Sequence, residues 1–160
     1  MIFVVTGTQM PFDRLIRGLD EIAPQLDEEI VAQVNSSSYQ PRHFKTIDML
    51  PPDEFDLLFK RARLIVAHAG IGSIISAMEC KKPIIIFPRV AVMGEHRNEH
   101  QLATAAKMKE NGWVYVATNK EELLSLLLTS DLHPLCTIGE YASERLIKSI
   151  TDFIEEPSVI

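Results

Sequence analysis

Short apolar runs alternate with amphipathic stretches along the chain. Ile2 to Thr6 is an apolar run of strand length, and Gly7-Thr8-Gln9-Met10-Pro11 forms its exit loop. Phe12, Leu15, Ile16, Leu19 and Ile22 recur at three- and four-residue spacing, which predicts a helix that stops near Pro24. Glu29 to Val34 predicts a second strand, Asn35 to Ser38 a polar loop, and Phe44 to Met49 a third strand. Pro51-Pro52-Asp53-Glu54 opens a second helix, since proline fits a first turn and acids suit the positive end of the helix dipole. Phe55, Leu57, Leu58 and Phe59 give that helix its apolar face.

The stretch from Leu64 to Arg89 organises the rest. Leu64 to Ala67 reads as a buried strand, and His68-Ala69-Gly70-Ile71-Gly72-Ser73 follows it. Ile74, Ile75, Ala77 and Met78 then sit at helical spacing up to Cys80, Pro83 ends that helix, and Ile84 to Phe87 form another strand. Strand, glycine-containing turn, helix, strand is a βαβ unit. Its first turn is where such units hold anions, because glycine lets the backbone come close and the first helical N–H groups point outward unpaired. Gly70, Gly72 and Ser73 are spaced to form that cradle; a tight turn alone would also explain a glycine there.

Beyond a loop from Val90 to Gly94, a fourth helix is expected to start near Glu95, with Leu102, Ala105, Ala106 and Met108 turned inward and a stop at Asn111-Gly112. Trp113 to Val116 reads as a sixth strand, and Asn119 caps a fifth helix holding Leu123, Leu124, Leu126 and Leu127. After a loop from Thr129 to Leu135, a last helix over about 138–156 carries Ile138, Tyr141, Ala142, Leu146, Ile150, Phe153 and Ile154 on one stripe. Strands alternating with helices imply an α/β fold: a Rossmann-like, doubly wound parallel sheet of about six strands in one domain, residues 1–160. In the common order 3-2-1-4-5-6, strands one and four lie side by side and their connections leave in opposite directions. A crevice opens at their carboxyl ends, edged by Gly7-Thr8-Gln9 and His68 to Ser73.

Composition narrows the classes. The net charge of −6 over 160 residues argues against non-specific nucleic-acid binding. Cys80 and Cys136 are too few for a zinc site or a disulfide framework, which favours a reducing compartment. The first residues read as a strand rather than a signal peptide, and no apolar run reaches the ~20 residues that span a bilayer. No G-x-G-x-x-G follows strand one and no P-loop occurs. Glu95-His96-x-x-Glu99-His100 would put two histidines one helical turn apart, but no third metal ligand is evident. His68 either points at a ligand or bonds a neighbouring backbone. Arg89 either offers charge to an anion or makes a surface ion pair. Asp53, Glu54 and Asp56 read as a solvated helix start, and Lys81-Lys82 as complements to the third helix's dipole.

His68-Ala69-Gly70-x-Gly72-Ser73, Lys82-Pro83, Pro88-Arg89, Gly94-Glu95-His96 and His100-Gln101 occur in this order. With the opening Gly7-Thr8 and Pro11-Phe12-x-Arg14-Leu15, the series resembles the C-terminal, donor-binding domain of glycosyltransferase family 28. The opening resembles the free-standing version of that domain, of which there are two groups: the small subunit of the eukaryotic two-part N-acetylglucosamine transferase of N-glycan assembly and the PssE-type subunit of bacterial exopolysaccharide synthesis. The stretch from Pro88-Arg89 to His100-Gln101 resembles the bacterial type more. The resemblance implies the C-terminal half of a GT-B fold. It implies that Gly70, Ile71, Gly72 and Ser73 meet a UDP-sugar's diphosphate and uracil, with Gly7 and Thr8 approaching the phosphates; His68 and Arg89 join them as donor-site candidates on their own residue-level readings. It places His100 and Gln101 at the sugar hydroxyls. A glutamate that takes the ribose in many members falls at Ser76, which can accept one bond but not bridge two hydroxyls.

The resemblance therefore implies the donor-binding subunit of a two-component inverting glycosyltransferase, moving a hexose or hexuronic acid to a lipid-linked saccharide, without a cofactor or bound metal. One half of a GT-B enzyme needs the other. The catalytic base is expected on a PssD-type, membrane-anchored, acceptor-binding partner, docked near the crevice and on the last helix. That partner would hold this chain, cytoplasmic, at the inner membrane, and the apolar tail Val159-Ile160 is a candidate for the contact. The competing readings are a non-catalytic module that enhances or anchors a partner glycosyltransferase, and a self-sufficient homodimeric enzyme.

Overall fold

The computed structural model describes residues 1–139 and 141–155. Six parallel strands form one sheet: β1 (Ile2–Val5), β2 (Ile30–Gln33), β3 (Lys45–Ile47), β4 (Leu64–Ala67), β5 (Ile84–Ile86) and β6 (Tyr115–Val116), in the order β3-β2-β1-β4-β5-β6. The central pairs are in register, Ile2 lying opposite both Ile30 and Leu64. Six helices connect or follow the strands: α1 (Asp13–Ile22), α2 (Pro52–Arg61), α3 (Ile71–Glu79), α4 (His100–Glu110), α5 (Lys120–Leu127) and α6 (Glu144–Glu155). The doubly wound sheet expected from the alternation of elements is present.

Apolar residues fill both sides of each central strand, as a sheet covered by helices on two faces requires. Ile2, Val4, Leu64 and Val66 pack with Leu15, Ile16 and Leu19 of α1 and with Leu123 and Leu127 of α5. Phe3, Val5, Ile65 and Ala67 face the other way, onto Phe59 of α2, Ile74 and Ala77 of α3, and Ala105 of α4. The chain turns to one face after β1 and to the other after β4. That reversal leaves the carboxyl edge between these two strands uncovered.

Several boundaries differ from those expected. Helix α4 begins at His100 rather than near Glu95, because Val90–Glu99 forms a loop with a single 3₁₀ turn at Ala91–Met93 and Gly94 in the left-handed region, φ 72°. His96 thus lies off the helix, with Nδ1 3.0 Å from the Asn98 carbonyl, and the one-turn spacing of a histidine pair is lost. Ala106 and Leu57 are exposed, whereas Gln101 takes an inward position on α4. The last helix starts at Glu144, not 138, and follows Ser143, whose hydroxyl accepts the Leu146 N–H at 3.3 Å. Its expected end at 156 and the tail Val159-Ile160 lie outside the described residues. Lys82 does not serve α3: its ammonium donates to the carbonyls of Lys60 and Ala62 and caps α2 instead. Lys81 closes α3 in the left-handed region, φ 52°, with the Lys82 N–H on the Ala77 carbonyl at 2.8 Å. Asn119 caps α5 as expected, its side chain accepting the Glu122 N–H at 2.8 Å.

At the opposite end of the molecule, Asp20 of α1 ties down the segment before β3. It is 3% exposed. Its carboxylate accepts from the N–H groups of Arg42 and His43, both at 2.9 Å, and from the Tyr39 hydroxyl at 2.7 Å. Burial pushes its pKa up, but the Tyr39 hydroxyl and the two amides outweigh that and hold it below the ordinary value. A carboxylate with a depressed folded pKa stabilises the fold above its unfolded pKa and loses that contribution as the pH falls. Asp20→Asn is therefore expected to cost about 1–3 kcal/mol at neutral pH in urea unfolding, and the difference from wild type should shrink below about pH 4. A constant difference down to strong acid would contradict this assignment.

Candidate functional site

The uncovered carboxyl edge forms a cleft of about 630 Å³. Gly7 and Thr8 of the β1 exit loop form one wall, and the turn from His68 through Ser73 forms another. Arg89, His100 and Gln101 close the far side. Ten of the eleven residues singled out in the sequence lie on this cleft, although they come from four separate stretches of chain. Ser76, the eleventh, sits further along α3 and is not among its lining residues. Met49, Leu50, Pro52 and Phe55 add an apolar end that sequence patterns alone did not assign to a site.

His68 occupies the centre. Its ring fills the space between two glycines: a Cβ on Gly7 would lie 2.7 Å from His68 Cε1, and one on Gly70 would lie 2.2 Å from Nε2. Gly7 also has φ 81°, so both space and backbone angle require glycine there. Gly70 is required by space alone. The ring's Nδ1 faces the Val5 carbonyl oxygen at 3.4 Å. Burial lowers the His68 pKa, the Val5 carbonyl opposes that shift weakly, and the nearby Arg89 charge adds to it. The imidazole is accordingly neutral at pH 7.

Gly72 differs from both. A Cβ there would meet nothing within 4 Å, and its φ is ordinary. Neither the fold nor the ring needs glycine at this position; its effect is to leave the first turn of α3 open to the cleft. The Ile74 N–H already bonds the Gly70 carbonyl at 3.3 Å, so among the described residues the free N–H groups of this turn are those of Ile71, Gly72 and Ser73. Together with the positive end of the helix dipole they suit an anion.

Arg89 is neither a surface ion pair nor a free charge in the cleft. It is 3% exposed. Its guanidinium donates to the carbonyls of Thr6 (2.7 Å), Met10 (2.6 Å), Pro11 (2.7 Å) and Glu95 (3.0 Å) and lies 4.5 Å from the centre of the Phe12 ring. Gln101 accepts the Arg89 N–H through Oε1 at 3.1 Å, while His100 is exposed on the rim. Asp53 and Glu54 stand in the first turn of α2, as a solvated helix start. Among the described residues, no group of three or more His, Cys, Asp or Glu side chains could hold a metal ion.

A profile of the glycosyltransferase family 28 C-terminal domain matches residues 1–156. The chain belongs to that family. Human UDP-N-acetylglucosamine transferase subunit ALG13 is 27% identical over 128 residues, which cover 73% of this chain and 11% of the human protein. The mouse protein of the same name is 28% identical over 127 residues, 72% of this chain and 10% of the mouse one. The chain thus spans about a tenth of the length of these curated relatives. Among solved structures, an NMR structure of ALG13 superposes with a TM-score of 0.57 at 17% identity, covering 93% of both chains. MurG of Acinetobacter baumannii gives 0.60 at 15% identity, over 97% of this chain and 49% of that one. These likenesses show the fold, that of one half of a GT-B enzyme.

Within this family 28 domain, sequence patterns missed two residues of the site's frame. Arg14 clasps the Glu95 carboxylate through Nε (2.7 Å) and Nη2 (2.9 Å), and its Nη2 also reaches the Pro88 carbonyl at 2.7 Å. Glu95 is 8% exposed and also accepts the Val90 N–H at 2.8 Å. Arg14 stands in the Pro11-Phe12-x-Arg14-Leu15 motif and Glu95 in Gly94-Glu95-His96, but nothing in their spacing indicates that residues 81 positions apart pair.

Proposed function

We propose that this chain is the donor-binding subunit of a two-component inverting glycosyltransferase that moves a sugar from a UDP-sugar to a lipid-linked saccharide. The observation that carries the reading is the convergence of the His68–Ser73 turn, the Gly7-Thr8 loop and His100-Gln101 on one cleft. Membership of family 28 and the similarity to proteins named as subunits of a UDP-N-acetylglucosamine transferase support it. The free amides of Ile71, Gly72 and Ser73 receive the diphosphate. As the acceptor oxygen attacks the anomeric carbon, charge grows on the departing diphosphate, and those preformed donors stabilise it. Gln101 keeps its amide donor for the sugar hydroxyls, since only Oε1 is committed to Arg89. The base that takes the acceptor's proton comes from the partner.

The partner is of the PssD type: it holds the acceptor, carries the membrane anchor and keeps this chain at the cytoplasmic face of the membrane. No helix among the described residues is long and apolar enough to cross a membrane. On α6, Leu146, Ile147, Ile150, Phe153 and Ile154 are all about half exposed or more. Such a stripe is costly in water and suits burial against that partner.

Titration calorimetry of the chain with UDP, followed by a transfer assay with the partner present, tests the reading. Gly72→Ala sharpens it. The added methyl has room and improves helix propensity, so the melting temperature should hold or rise. The same methyl stands where the diphosphate approaches, and UDP affinity should fall by roughly tenfold or more, the worth of one hydrogen bond to a charged group. Undiminished UDP affinity in Gly72→Ala would remove the anion from this turn. One observation favours a second reading, a non-catalytic module that enhances a partner enzyme: Ser76, where a ribose-binding glutamate falls in many members, lies off the cleft. Failure to bind UDP even with the partner present would select it.

A further inference from the structure

The cleft is underlain by three charged side chains whose hydrogen-bonding groups are engaged within the protein: Arg14, Arg89 and Glu95. We propose that Glu95 is a positioning residue for the anion cradle, acting through Arg89 on the N–H groups of the β1 exit loop. The inference rests on the reading of the cleft as a diphosphate site.

Glu95 works from both ends. Its carboxylate is clasped by Arg14 and folds the β5–α4 loop back by accepting the Val90 N–H at 2.8 Å. Its carbonyl accepts from Arg89 Nη1 at 3.0 Å. The remaining bonds of the Arg89 guanidinium go to Thr6, Met10 and Pro11, all in or beside the β1 exit loop. Glu95 thus sets the place of Arg89, and Arg89 sets the loop.

The loop's orientation follows from the peptide unit. In a trans peptide the carbonyl and the next N–H point to opposite sides, and the described chain contains no cis peptide bonds. With the Thr6 carbonyl drawn onto Arg89, the Gly7 N–H is turned away from it. Gly7 and Thr8 line the cleft. Among the described residues, no hydrogen bond engages the N–H groups of Gly7, Thr8, Gln9 or Met10. Consecutive free amides of this kind make an anion-binding concavity. Gly7 lies against one side of the His68 ring, and Gly70, just before the free amides of α3, lies against the other.

Charge alone makes the opposite prediction. Two guanidinium groups against one carboxylate leave a net positive charge beneath the loop. Removing the carboxylate's charge would raise it, and an anion would then bind more tightly. If Glu95 acts by position, the same change loosens the loop and binding weakens. The sign of the effect therefore separates the two.

The test compares UDP affinity and the amide spectrum of the 160-residue chain for wild type, Glu95→Gln and Arg14→Lys, with Asp20→Asn as a distant destabilising control. Glu95→Gln should lower UDP affinity roughly tenfold, one charged hydrogen bond's worth. It should also move the Gly7 amide resonance in the ligand-free protein. Arg14→Lys keeps the charge but loses the two-point clasp, and should change both readouts in the same direction. It carries the test if Glu95→Gln does not fold. Asp20→Asn should lower the melting temperature and leave UDP affinity and the Gly7 resonance as in wild type. Unchanged or tighter UDP binding in Glu95→Gln overturns the proposal. If wild type fails to bind UDP even with the partner present, the donor reading falls, and the ligand-free Gly7 resonance decides the positioning claim: unmoved, it refutes it.

Discussion

Replacing Arg89 with methionine is expected to destabilise the protein by about 3–5 kcal/mol, the range for removing one member of a buried charged network. The guanidinium is 3% exposed and satisfies four carbonyls from two loops. Methionine matches much of its bulk but donates to none of them, and the buried carbonyls of Thr6 and Glu95, left without a donor, cost on the order of 1–3 kcal/mol each before relaxation. Burial lowers the Arg89 pKa and the Glu95 charge opposes that only in part; a guanidinium starts so high that it stays charged in proteins. The Glu95 carboxylate then keeps Arg14 but loses the neighbouring charge that its backbone helped to seat. For a domain of this size the loss corresponds to a fall of about 10 °C or more in melting temperature. Arg89→Lys retains charge with a single donor point and should lie between wild type and methionine. Urea unfolding of the three proteins checks the order. A methionine variant within about 1 kcal/mol of wild type would show that water replaces the guanidinium at these carbonyls.

Gly70→Ala is expected to cost about 2–3 kcal/mol and to abolish nucleotide binding, for a reason local to one ring. The new methyl would stand 2.2 Å from His68 Nε2, well inside contact distance. The ring has no easy retreat, since Gly7 closes its other side and Val5 anchors Nδ1. Overpacking of this kind typically costs about 1–3 kcal/mol. The distinguishing result is a double-mutant cycle. In a His68→Ala background the ring is gone, and Gly70→Ala should become nearly neutral, giving a coupling of roughly 2 kcal/mol. Equal costs in both backgrounds would mean that backbone conformation, not the imidazole, demands glycine at 70.

The His68–Ser73 turn was legible in the chain because it lies in one continuous stretch. An apolar run, two glycines and a helical period declare a strand, an open turn and a helix without reference to anything distant. What the glycines are for was not legible. Gly7 and Gly70 are 63 positions apart and serve the same ring, whereas Gly72, identical in composition, serves none. Arg89 shows the same limit. Its place at the end of a strand is local, but the carbonyls that consume its donors come from Thr6, Met10 and Pro11, across the junction of β1 with the rest of the sheet. The late start of α4 has the same origin. The 95–99 segment has no strong helix breaker after Gly94, and the contact that holds Glu95 at its head comes from Arg14 on α1, which no local pattern announces.

By itself, the order of residues determined the alternation of elements, the parallel sheet and the identity of the turn that faces the crevice, because periodicity and turn chemistry act over a few positions at a time. It also marked the stripe on α6 as apolar. Only the tertiary structure decided that this stripe stays exposed, that His68 is the wedge between two loops, and that Arg89 and Glu95 form the frame beneath the cleft. Those outcomes depend on which carbonyls and carboxylates the packing of α1, β1 and β5 brings within hydrogen-bonding reach of one another, and no local period encodes such distances.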